Sequence, residues 1–144
     1  MNKTRTEKRR FGISITANVA NVLDELASKL GVDRSSIIEK AVRNFLLDHI
    51  HYVVPHECKG LMVLTGSYGR DDLLKVIESF RDVIHSYIHM HVGDMCIEII
   101  VVSGVSSRIA KLHSTLESSM KGCIIRYIPL LHTLITKYNL SNNS

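Results

Sequence analysis

The chain has no tryptophan, only three cysteines and two prolines, and no long apolar run. Each shortage excludes something. No stretch approaches the roughly 20 residues of a membrane-spanning helix, so no membrane partner is expected. The opening MNKTRTEKRR has no apolar signal core, and the expected location is the cytoplasm. Cys58, Cys96 and Cys123 are too few, and odd in number, for a disulfide framework.

The remaining composition reads as globular: 144 residues, 45% hydrophobic and 22% charged, enough for one ordinary domain or two small ones. The formal net charge is +4. Lys3, Arg5, Lys8, Arg9 and Arg10, set against Glu7, account for that excess within an N-terminal arm. Such an arm is either a solvated tail or a phosphate-binding one, and the element it leads into decides between them.

Arg10 to Thr16 alternates. Phe11, Ile13 and Ile15 fall on one side and Arg10, Gly12 and Ser14 on the other, which predicts a short strand. Thr16 is placed as an N-cap, Val19, Val22, Leu23, Leu26 and Leu30 recur at helical spacing, and Gly31 ends that helix. After Asp33, Ser36 and Glu39 have capping-box spacing, and Ile37, Ile38, Ala41, Val42, Phe45 and Leu46 predict a second helix to about residue 50. One strand and two helices in about 40 residues cannot bury their apolar faces alone. The simplest partner is a second copy, paired strand to strand.

Pro55 and the loss of periodicity predict a connector over 51–58, between an N-terminal domain (1–50) and a C-terminal one (59–144). His49, His51 and His56 offer the donors of a metal cluster, but the preferred reading is ordinary residues near a helix end. The second half predicts strand 60–65, helix 69–82, strand 83–92, strand 95–103, helix 106–119 and strand 122–129. That βαββαβ order is ferredoxin-like. Residues 130–140 read as a tail helix.

The centre of this half is IHMHVGDMCIE, residues 88–98. Gly93-Asp94 between two β-rich runs is a two-residue hairpin signal. With that turn Val92 pairs with Met95, His91 stands opposite Cys96, and His89 opposite Glu98. Opposed residues share a face with Cβ atoms about 4.5–5.5 Å apart, so two imidazoles and a thiol converge with a carboxylate behind them. Imidazole with thiolate suits zinc, copper, nickel or iron, not magnesium or calcium.

The strand-helix-helix half resembles the ribbon-helix-helix DNA-binding family. That resemblance implies a two-chain antiparallel ribbon in the major groove of double-stranded operator DNA. Its carry-over falls on Arg10, Gly12 and Ser14, the outward strand positions, of which Gly12 offers no side-chain base contact, and on Ser35 and Ser36 as a phosphate-holding helix start. The adjoining basic arm, with Lys8 and Arg9, adds phosphate contacts by its charge. Joined to a ferredoxin-like domain with HxH and CxE, the whole chain resembles the nickel-responsive transcriptional regulators. The fold class implied is α+β, a ribbon-helix-helix followed by an ACT-type domain, assembled as a dimer of dimers, a homotetramer. The resemblance assigns His89, His91 and Cys96 to a metal, with nickel expected and zinc, copper or cobalt as alternatives, and Glu98 to a supporting role. The family's fourth ligand is a histidine from a neighbouring subunit. Here Asp82 aligns with it, so Asp82, His85 or neither completes the set. The chain also departs from the family by one residue fewer between His91 and Cys96, and by Ser36 and Lys40 where acidic residues often help to hold a cation. Two rivals stand beside this reading: a regulator whose ACT-type domain senses a small molecule or nothing, and a zinc hydrolase with Glu98 as base. A regulator, not an enzyme, is expected.

Overall fold

The computed structural model describes residues 8–130, and the tail helix expected over 130–140 lies almost wholly outside them. The described residues divide into two compact units, with the boundary between Glu39 and Lys40.

In the first unit, residues 8–16 form no regular element. A ribbon strand is defined by ladder hydrogen bonds, and one chain alone offers this one no partner. Thr16 is extended and directly precedes helix α1 (Ala17–Leu30), but its side chain makes no cap hydrogen bond. Gly31 adopts the left-handed conformation, φ 63°. Its N–H reaches the Ser28 carbonyl and that of Val32 the Ala27 carbonyl, a Schellman end. Helix α2 (Arg34–Asp48) starts three residues earlier than the capping-box spacing suggests. Asp33 is the cap. One of its carboxylate oxygens accepts the Ser36 N–H and the other the Ser36 hydroxyl, both at 2.8 Å. A carboxylate at the first position outruns a serine three residues later, because it meets the free N–H groups of the first turn with full charge. Those bonds hold the Asp33 carboxyl below its ordinary range.

The second unit takes in the end of α2 and then a 3₁₀ turn (Ile50–Tyr52). It continues through β1 (Glu57–Gly66), α3 (Arg70–Ser79), β2 (Ile84–Val92), β3 (Met95–Val105), α4 (Ser106–Ser119) and β4 (Ile124–Pro129). Ile50 and His51 are buried, and Glu57 and Cys58 already belong to the sheet. The four strands lie in the order β2-β3-β1-β4, each pair antiparallel, as βαββαβ connectivity requires. Alternation along β1 and β3 turns Cys58, Met62, Leu64, Ile100 and Val102 into a core with Leu73, Val76 and Phe80 of the α3 region and Ile109, Leu112 and Leu116 of α4.

Gly60 marks how tightly this core closes. A Cβ built there would lie 2.5 Å from ring carbons of Tyr127, and Tyr127 is itself fully buried. Neither group has room to move. Gly60→Ala is expected to cost about 1–3 kcal/mol by overpacking, read as a lower urea midpoint at unchanged slope.

Candidate metal centre

The hairpin has the expected register. Val92 pairs with Met95, His91 with Cys96 and His89 with Glu98. Gly93 sits at φ 59°, a conformation that the tight turn needs and that other side chains resist. The residues between His91 and Cys96 are therefore enough to close the turn and leave imidazole facing thiol.

Tyr87, His89 and His91 of β2 and Cys96 and Glu98 of β3 fall on the face that lower down carries the core. His89 Nε2 lies 2.9 Å from His91 Nε2, close enough for both nitrogens to occupy neighbouring positions on one ion. The donor atoms of His89, His91 and Cys96 all lie within 4.8 Å of one another. Behind them, Glu98 is 0% exposed. Its Oε1 accepts from His89 Nδ1 at 2.5 Å and from the Tyr68 hydroxyl. Because Nδ1 carries the proton toward Glu98, His89 Nε2 turns a lone pair outward. A carboxylate behind a ligating histidine fixes its tautomer and ring orientation in this way. Burial first, then Glu98, pushes the Tyr68 hydroxyl far up, and the same causes raise Tyr87 to about 12. Both phenols are neutral at physiological pH. Glu98 Oε2 and the Tyr87 hydroxyl are buried without a hydrogen-bond partner among the described residues.

The donor set is two imidazole nitrogens, one sulfur and a buried carboxyl anchoring one of the imidazoles. It fits a borderline-soft transition ion and not a hard, oxygen-seeking one.

Neither Asp82 nor His85 joins the cluster in this chain. Asp82 lies in the turn after α3, where Arg108 binds it bidentately, Nε to Oδ2 and an Nη to Oδ1, each at 2.8 Å. Arg108 is itself fixed over the Phe80 ring, 4.2 Å from its centroid, and by the Ser79 carbonyl. The guanidinium holds the Asp82 carboxyl below its ordinary range. His85 falls at an irregularity between Ile84 and Ser86 where the β2–β3 register shifts. The alternation that would have carried it to the face of His89 is interrupted there, and His85 is exposed.

In the N-terminal unit, Lys8, Arg9, Arg10, Gly12 and Ser14 are all exposed. Ser35 and Ser36 lie in the first turn of α2, but the Ser36 N–H is already taken by Asp33.

The fold also gathers a second histidine group. His49 Nδ1 donates to the Phe45 carbonyl at 2.8 Å, satisfying an open carbonyl at the end of α2. His51 Nε2 is 2.9 Å from His113 Nδ1, and both residues are buried. Burial lowers both imidazoles, His51 to about 3. His56 instead pairs with the Val54 carbonyl and the Cys58 thiol. No short motif in the sequence holds His113 and Glu117 to the other histidines. Their only signal is an i, i+4 spacing on one helix face.

Comparison with known proteins matches both halves of the chain. Residues 7–49 match the family described as the ribbon-helix-helix domain, and residues 56–122 match the NikR C terminal nickel binding domain. A protein of Pyrococcus abyssi described as a nickel-responsive regulator is 30% identical over 119 residues, 78% of this chain and 86% of its own length. One from Methanopyrus kandleri with the same description is 31% identical over 118 residues, 78% of this chain and 84% of its own. One from Methanocaldococcus jannaschii is 29% identical over 124 residues, 81% and 87% respectively. The chain belongs to the nickel-responsive regulator family. The family is regulatory, and the hydrolase reading of His89, His91, Cys96 and Glu98 falls away with that assignment. This family member is a metal-responsive DNA-binding regulator with nickel as its metal, and its α+β order is the family's. Among the described residues no helix is long and apolar enough to cross a membrane.

Proposed function

We propose that this chain is a cytoplasmic transcriptional regulator in which nickel held by His89, His91 and Cys96 tunes operator binding by the N-terminal ribbon. The observation that carries this reading is the convergence of two imidazole nitrogens and a thiol, with Glu98 orienting His89 from behind, in a chain whose other unit has the ribbon-helix-helix sequence. When bound, the ion supplies a rigid cross-link between β2 and β3 at the hairpin tip. His89 contributes a preset lone pair, His91 moves its remaining proton to Nδ1, and Cys96 gives up its thiol proton. In the other unit, Arg10, Gly12 and Ser14 are assigned to the groove and Lys8 and Arg9 to phosphates. With the Ser36 N–H occupied by Asp33, the Ser35 end of the first turn is the better placed of the two serines to meet a phosphate.

Two uncovered apolar surfaces support a dimer of dimers. Phe11, Ile13 and Ile15, followed by Val19, Val22, Leu26 and Leu30 of α1, are all exposed in the single chain. On the sheet face away from the helices, Ile88, Met90, Ile124 and Ile128 are exposed and Leu61, Val63, Ile97, Ile99 and Val101 only half-buried. Contiguous exposed apolar faces of this kind mark interaction surfaces. A folded monomer in light scattering at micromolar concentration would contradict the assembly.

The metal assignment is tested by titrating protein purified without a histidine tag. A tight nickel site per chain is expected, abolished in His89→Ala. Asp82→Ala and His85→Ala are expected to leave the affinity within about threefold, under 1 kcal/mol, because one is engaged by Arg108 and the other lies off the face. Retention of tight binding in His89→Ala would overturn the reading.

A further inference from the structure

The group at the end of α2 differs from the hairpin site in every residue, and it is built like a site. The donor atoms of His49, His113 and Glu117 lie within 4.8 Å of one another. His49 is half-buried, His113 fully buried and Glu117 exposed, so the group opens to solvent on one side only. A carbonyl can only accept, so the His49 proton must sit on Nδ1 against Phe45. Its Nε2 therefore bears a lone pair. The His49 ring is held in place by stacking on Phe45, centroids 4.1 Å apart and planes 19° apart. His113 is held by His51, and the tautomer of that pair sets which His113 nitrogen is free. When its Nδ1–H donates to His51 Nε2, its Nε2 lone pair faces outward, 3.5 Å from Glu117 Oε1. That separation is long for a hydrogen bond. It is close to the roughly 3.3 Å between neighbouring ligands on a tetrahedral zinc with bonds of about 2.0–2.1 Å. Glu117 follows His113 by one helical turn, which brings its carboxylate over the same patch of α4.

We infer that His49, His113 and Glu117 form a second divalent-metal site of the zinc class, with His51 orienting His113 from behind and water completing the coordination. The donor set, two imidazoles and one carboxylate without thiolate, is harder than that of the hairpin. The two sites therefore sort ions differently: the hairpin prefers nickel or copper, while this one accepts zinc or cobalt comparatively well. A metal here ties the segment following α2 to α4.

The test uses the full chain carrying His89→Ala and Cys96→Ser, so that the hairpin site contributes nothing, and zinc alone as the probe. Competition against a chromophoric chelator is expected to show one zinc per chain, with a thermal midpoint that rises as zinc is added. Adding His49→Gln or Glu117→Gln is expected to weaken binding at least tenfold and to abolish the midpoint rise. Melting without metal should remain that of the parent for Glu117→Gln, whose side chain is exposed. His49→Gln also gives up the bond and stacking to Phe45, so its zinc response is read against its own metal-free midpoint. His113 is left intact because its loss would open the core. Absence of zinc binding in the parent, or binding that both substitutions leave unchanged, would overturn the proposal. Neither result bears on the hairpin site, which is absent from every protein in the series.

Discussion

Cys96→Ser is expected to remove the sulfur-to-metal absorption band that nickel produces in the unaltered protein, and to weaken nickel binding by more than about 100-fold. Loss of a mere outer partner of a metal ligand costs about 10–100-fold, and an alcohol in place of a soft anionic ligand removes more than that. The geometry gives the substitution little means of compensation. His89 and His91 are fixed on β2, and Cys96 is the residue opposed to His91 across the hairpin. A proton balance accompanies the band. His89 already points its Nε2 lone pair outward because Nδ1 is engaged by Glu98, so the proton released on binding comes from the thiol. Falling pH therefore weakens binding, as protons compete for thiolate and imidazole alike. In Cys96→Ser the thiol contribution to that pH dependence should vanish with the band. Glu98→Gln keeps the shape but loses the charge behind His89, and should sit between the two proteins, about 10–100-fold weaker than the parent. A nickel band that survives in Cys96→Ser would mean that the sulfur comes from Cys58 or Cys123 and that the hairpin is not the site.

Removing residues 1–9 is expected to lower affinity for all duplex sequences together and to flatten the salt dependence. The deletion takes away Lys3, Arg5, Lys8 and Arg9 and only one acidic residue, Glu7. Each phosphate no longer neutralised reduces the slope of log affinity against log salt by about 0.9, so full engagement of the arm corresponds to a change of roughly 3–4 per arm. Ser14→Ala should behave in the opposite way, changing which sequences are preferred more than how tightly DNA in general is held. Phosphate contacts position and base contacts specify, and the two alterations separate those roles. An unchanged slope after deletion would make the arm a solvated tail.

The hairpin and its register are legible in the sequence because everything that defines them is local. A glycine-led turn between β-rich runs fixes the register, and strand alternation then dictates which side chains meet. The helix order is legible for the same reason, from apolar periodicity and from Gly31. The features that escape depend on partners far along the chain. Asp82 looks available until Arg108, 26 residues later, closes on it. His85 shares the parity of His89, and only the irregularity beside it removes it from the face. Ser36 fits a capping box, but the neighbouring Asp33 competes for the same N–H and wins through its charge. His49 and His113 stand on separate elements that only the fold brings together. The strand expected at 10–16 needs a second chain before it can be a strand at all.

Regulation by metal rests on one coupling, and fluorescence anisotropy on a labelled duplex measures it directly. The duplex is first selected from a random pool by the nickel-loaded protein, then titrated with tag-free protein with and without nickel, in parallel with Cys96→Ser. The unaltered protein should show at least a tenfold change in DNA affinity when nickel is added, a coupling of about 1.4 kcal/mol, and Cys96→Ser should show none. Equal affinities with and without nickel in the unaltered protein, or a nickel effect of full size in Cys96→Ser, would contradict a hairpin site that governs the DNA-binding unit.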